Sequence, residues 1–105
     1  MTKVVFFCRK GKLVGFEAQG HSGYAEEGSD IVCAAVSAVT QTLAIQAENV
    51  LEMKEAVFVD ENKAILRVTG ENNEAWESAL KAAEMFLCEL SRQYPRHLTT
   101  RITEV

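Results

Sequence analysis

Twice along this chain, two short runs of strand-forming residues meet across a tight turn and then give way to a longer run of helical period. This succession constrains the fold more than any other feature. A hairpin is antiparallel by construction, and the helix that follows it must cover an apolar face of the resulting sheet. The first hairpin comprises residues 4–8, VVFFC, and residues 13–19, where Val14, Phe16 and Ala18 recur at period two, with RKGK supplying a glycine turn between them. From Asp30 the period lengthens. Ile31, Val32, Ala35, Val36, Val39, Leu43 and Val50 fall on one side of a helix, and Cys33, Ser37, Gln41 and Glu48 fall on another.

The second round begins with EAVFV and KAILRV, joined across Asp60, Glu61 and Asn62. GENN then breaks the chain before a second helix, whose apolar stripe is Trp76, Ala79, Leu80, Ala83, Phe86, Leu87 and Leu90 and which Pro95 stops. HLTTRITEV, rich in Thr and Ile, ends the chain as a strand. The expected fold is one α+β domain over residues 1–105, in the order ββαββαβ, with a mixed or mainly antiparallel sheet packed with two helices.

Composition narrows the functional classes. An apolar content of 48% with 25% charged residues suits a globular domain with a single core. No apolar run approaches the roughly 20 residues that span a bilayer. The opening MTKVVFFCRKGKL is too short in its apolar part for a signal peptide, so a cytoplasmic location and no membrane partner are expected. The three cysteines match no disulfide or zinc spacing, and reduced thiols are expected. The net charge of −4 argues against nucleic acid as a partner.

The segment GHSGYAEEGSDIVCAAVS, residues 20–37, carries the chemistry. It contains His21, one of two histidines in the chain, and Cys33 near the start of the first helix. A nucleophilic cysteine needs a lowered pKa, and a helix N-terminus and a nearby imidazole both supply this. If Asp30 is the N-cap, Cys33 is the third helical residue, and its own N–H joins the donors left open in the first turn. Such donors suit the oxyanion formed when a thiolate attacks a carbonyl. Asp30 has two readings: a cap on the helix, or a carboxylate that orients His21.

Other chemistries fit this segment less well. It has no basic residue, and Glu26, Glu27 and Asp30 would repel a polyphosphate. It lacks both the Gly-Lys-Ser/Thr ending of a phosphate loop and the GxGxxG spacing. One His and one Cys supply too few ligands for a structural zinc site, and no metal or other cofactor is expected.

The same eighteen residues resemble the signature of the bacterial ribosomal-processing cysteine protease family: a Gly-His-Ala start, a short acidic and Gly-containing loop, then Gly-x-Asp-Ile-Val-Cys-Ala-Ala-Val-Ser. Ser22 departs from that pattern, standing where Ala is expected. The resemblance implies a cytosolic endopeptidase that removes a short N-terminal extension from a large-subunit ribosomal protein, in support of ribosome assembly. It implies Cys33 as nucleophile and His21 as general base, with Asp30 and Ser37 supporting the site or the substrate. It also implies a homodimer that recognises an apolar, Phe-containing cleavage sequence.

Beside the resemblance, Ser37 lies one turn beyond Cys33 on the same helix face, where its hydroxyl either reaches the same cleft or is simply solvated. Tyr24 is a candidate contact to the peptide, or packs beneath its own loop. Cys8 reads as strand packing, Cys88 as a partly exposed residue on the polar side of the second helix, and His97 as a strand-end histidine. Two readings without proteolysis compete: a module that binds a ribosomal protein, and a thiol redox sensor using Cys33.

Overall fold

The first hairpin forms where the alternation places it, with β1 at Thr2–Arg9 and β2 at Lys12–Gln19. Arg9 pairs with Lys12, so Lys10 and Gly11 alone make the turn, both with positive φ (53° and 79°). That is the two-residue hairpin geometry whose twist matches the flanking strands. In the computed structural model the described residues are 1–20 and 29–105, with the side chains of Ser29 and Asp30 outside the description.

The β1–β2 ladder contains one irregularity. Phe7 pairs with Gly15 and Cys8 with Leu13, which leaves Val14 as an extra residue on β2. A bulged residue leaves the ladder and re-aims its backbone groups. Here the Val14 carbonyl accepts two bonds from elsewhere: the Gly70 N–H at 2.8 Å and the Trp76 indole Nε1–H at 3.0 Å. The bulge thereby ties β2 to the segment that opens the second helix.

The first helix, α1, spans Ser29–Ile45 and runs into a π-helical turn over Gln46–Val50, where the Leu51 N–H donates to the Gln46 carbonyl at 2.8 Å. The second hairpin is β3 (Val57–Asp60) with β4 (Ile65–Thr69), its turn held by the Lys63 N–H donating to Asp60 Oδ1 at 3.1 Å. The second helix, α2, spans Glu74–Gln93. Asn73 caps it by accepting the Trp76 backbone N–H on Oδ1 at 2.9 Å, which satisfies one of the donors a helix start leaves open. The helix stops before Pro95, and β5 (Leu98–Glu104) follows.

Among the described residues the sheet order is β3-β4-β2-β1-β5. Every neighbouring pair is antiparallel except β1 with β5, which is parallel. The expected ββαββαβ order and mixed sheet are both present. Register lines up Phe6, Phe16 and Val68 across the three central strands, and all three are fully buried. They share one core with Val32, Val36 and Leu43 of α1 and Trp76, Leu80 and Leu87 of α2. Both helices therefore cover the same face. Next in register, the opposite face carries Glu17 beside Arg67, paired at 2.7 Å, with the Arg67 guanidinium 5.1 Å from the Phe58 ring centre.

Three residues assigned to the helical stripes leave the core. Ile31 is 61% exposed, Val50 69% and Phe86 48%. A helix wheel groups residues over a wide arc, whereas contact with a sheet covers a narrower one, so residues at the edges and ends of the stripe are left in solvent. One stretch, Ile31–Val50, has the length, 20 residues, and the mean hydropathy, 1.3, of a bilayer span, but it is not a continuous apolar run, since Ser37, Gln41, Gln46 and Glu48 interrupt it. Its Val32, Val36, Leu43 and Ala47 are buried in the domain core, and its outer side carries exposed Ser37, Gln41, Thr42 and Glu48. Packing assigns it to the core of this domain, where Ala and Val supply the hydropathy that a membrane helix would draw from larger side chains.

Candidate active site

Helix α1 places Cys33 and Ser37 one turn apart. Val32 and Val36, each one position earlier, point into the core and are buried. Cys33 is consequently rotated out of the stripe and is half-buried, while Ser37 and Gln41 are exposed. This is the disposition expected of a thiol that faces a cleft rather than the core. Deeper in the helix, buried Thr40 returns its hydroxyl to the Val36 carbonyl at 2.8 Å, so its polar group is satisfied within α1.

Among the described residues α1 is already helical at Ser29. Asp30 is therefore within the helix rather than ahead of it, and Cys33 lies at least one full turn in. A residue that far along has a helical carbonyl four positions back, so the Cys33 N–H is not among the donors that a helix start leaves open. Asp30 lies toward the N-terminal end of the helix, where the dipole favours a carboxylate. Its side chain, together with His21, Tyr24 and the loop joining them to the helix, lies outside the described residues.

The approach to that loop is well defined. β2 ends at Gln19, paired with Lys3, and Gly20 follows with φ of +88°. The Gly20 N–H donates to the Ala64 carbonyl at 3.1 Å. A Cβ at this position would stand 2.6 Å from the Met1 carbonyl oxygen. Sequence reasoning gave Gly20 no role beyond its place at the start of the Gly-His motif. The signal that marks it out is a glycine placed directly between the end of a period-two run and a histidine.

The remaining candidates are structural. Cys8 is half-buried in β1. Cys88 is half-buried on α2, and its carbonyl accepts the Ser91 hydroxyl at 2.7 Å. His97 lies in the turn before β5, half-buried, with its carbonyl accepting the Thr2 N–H at 2.9 Å. Among the described residues, no group of three or more His, Cys, Asp or Glu side chains has the spacing to hold a metal ion.

Comparison with known proteins bears on this arrangement. A model of the family described as cysteine protease Prp matches residues 1–99. The fold is similar to SMU.848 from Streptococcus mutans, with a TM-score of 0.84 and 27% identity over 100% of this chain and 99% of that one. It is also similar to an essential ribosomal processing protease Prp from S. aureus in complex with a covalently linked product peptide, with a TM-score of 0.78 and 22% identity over 98% of this chain and 100% of that one. The S. aureus protease in complex with a substrate peptide gives a TM-score of 0.82 and 20% identity over the same shares. At these identities the S. aureus likeness speaks for the fold alone. No curated protein matches the chain at a significant level. With the family model spanning nearly the whole domain and a helix-borne thiol turned out of the core, the chain belongs to the cysteine protease Prp family.

Proposed function

We propose that this cysteine protease removes the short N-terminal extension of a large-subunit ribosomal protein, with Cys33 as nucleophile and His21 as general base. The observation that carries the assignment is the half-buried Cys33 on the early turns of α1, outside the apolar stripe, in a chain of this family. His21 takes the thiol proton, and the Cys33 sulfur attacks the scissile carbonyl carbon. The negative charge that develops on the carbonyl oxygen is held by backbone donors left open where α1 begins. The tetrahedral adduct expels the amine, which takes the proton back from His21, and leaves a thioester on Cys33. Water, deprotonated by His21, then hydrolyses that thioester and restores the thiol.

Ser37, exposed one turn along from Cys33, supports the substrate, and Asp30 and Tyr24 support the loop or the peptide. The enzyme works as a cytoplasmic homodimer without a cofactor. The resemblance of residues 20–37 to the ribosomal-processing signature, in a chain that the family model matches, is the support for the substrate class.

The test is to mix the protein with the precursor ribosomal protein and follow the precursor's mass, with Cys33→Ala and His21→Ala alongside. Wild-type trimming, reduced at least about a thousandfold in both variants with binding retained, is the expected result. Trimming by Cys33→Ala would remove the nucleophile assignment. Binding without trimming by the wild type would favour a docking module. Reaction with peroxide in place of peptide turnover would favour a redox sensor.

A further inference from the structure

We propose that Gly20 is a positioning residue for the general base. Its backbone is locked between two other parts of the sheet, so that the chain leaves β2 toward His21 from a fixed point and in a fixed direction. The inference rests on the assignment of His21 as base. Three observations support it.

The first is the conformation. A φ of +88° is open to glycine and strained for any L residue with a Cβ. The second is the space. The atom nearest to an added Cβ is a backbone oxygen, Met1 O at 2.6 Å, and it cannot swing away as a side chain would. Met1 is itself held, because the next residue, Thr2, is buried, pairs with Leu98 and donates its N–H to the His97 carbonyl at 2.9 Å. The third is the hydrogen bond from the Gly20 N–H to Ala64 O at 3.1 Å, which ties the same residue to the β3–β4 turn. β1, β5 and the β3–β4 turn thus converge on the one residue that precedes His21.

An L side chain at position 20 therefore changes the backbone direction at this point. A displacement of about 1 Å in a catalytic group is enough to cost on the order of a hundredfold in rate. Because Gly20 contributes no side chain to the peptide, the loss falls on kcat and leaves KM nearly unchanged.

A readout independent of substrate is the pH profile of Cys33 alkylation by iodoacetamide, followed by mass spectrometry of the peptide that carries Cys33. An imidazole beside the thiol favours the thiolate and keeps the profile at low pH. Wild type, Gly20→Ala and His21→Ala are compared, each checked for folding by circular dichroism. The expected result is that Gly20→Ala and His21→Ala shift upward together, by at least about one pH unit, toward an ordinary thiol. A Gly20→Ala profile equal to wild type, with His21→Ala shifted, would overturn the positioning role alone. A His21→Ala profile equal to wild type would overturn the base assignment and this inference with it.

If Gly20→Ala does not fold, D-alanine at position 20, introduced by ligating a synthetic segment 1–32 to residues 33–105 at Cys33, takes its place. A D residue accepts positive φ and carries its methyl group away from the L-Cβ position beside Met1. This protein is expected to show the wild-type profile. A folded D-alanine protein with the profile of His21→Ala would overturn the proposal.

Discussion

Replacing Trp76 by Phe tests how the bulge in β2 and the start of α2 are joined. Trp76 is 1% exposed, and its indole N–H reaches the Val14 carbonyl at 3.0 Å. Losing a donor to a buried acceptor is severe when the acceptor is left unpaired. Val14 O is not, because it keeps the Gly70 N–H at 2.8 Å. The hydrogen-bond loss is therefore the ordinary net value of about 1 kcal/mol. Trimming the indole to a phenyl ring leaves a small void, and full truncation of a buried Trp costs about 3–5 kcal/mol, so this partial one contributes about 1–1.5 kcal/mol. The sum is about 2–2.5 kcal/mol, equivalent to a fall in Tm of roughly 10–15 °C for a domain of this size. Urea denaturation with an unchanged m-value is the assay. Well below Tm, kcat should match the wild type, since the indole is committed to the core. A cost under about 0.5 kcal/mol would refute the buried hydrogen bond. A cost above about 4 kcal/mol would refute the double acceptance at Val14, because it would mean that the carbonyl had been orphaned.

Three further outcomes follow from the surface. Asn73→Ala removes the α2 cap and should cost about 1 kcal/mol in thermal unfolding, whereas Asn73→Asp should keep the cap and add a favourable charge at the helix start. On the open face of the sheet, Glu17→Gln should cost no more than about 1 kcal/mol and lose that effect in about 1 M salt, as expected for a partly exposed ion pair. Arg67→Ala should cost more than Glu17→Gln, because it also removes the contact with Phe58. Equal costs would assign that ring no energetic part.

The elements were legible in the sequence because each is written in a local period. Val14, Phe16 and Ala18 alternate, and Trp76, Leu80, Ala83, Leu87 and Leu90 recur at helical spacing, and the residues of both sets pack into the core. What local periods do not encode is which strands become neighbours. That β5 lies parallel to β1 at one edge, and β3 at the other, depends on contacts between distant parts of the chain. The bulge at Val14 was equally hidden, since alternation continues through it. Within the candidate site, the outward rotation of Cys33 was readable from the helix wheel. Asp30, read as a cap, is inside α1, because a capping residue type marks only the neighbourhood of a helix start. The constraint on Gly20 was not legible, because it depends on Met1 and Ala64, which are remote from it in sequence.

The parallel pairing of β5 with β1 also bears on how an aggregation-prone strand edge is protected. VVFFC within β1 is the kind of segment, apolar, strand-prone and uncharged, that seeds stacking between molecules when one of its edges is open. β2 covers one edge at once, through a two-residue turn. The other edge is covered by residues nearly the whole chain away, from Leu98 pairing with Thr2 onward, and Val105 N–H completes the seam on the Cys8 carbonyl at 2.9 Å. Until those residues dock, the folding molecule carries an adhesive strand, and closing so long a loop is slow. The last strand, Thr-rich and bearing Arg101 and Glu104, takes over the exposed edge with side chains that discourage further pairing. It serves as a cover over a strand whose edge would otherwise stand open to pairing with another molecule.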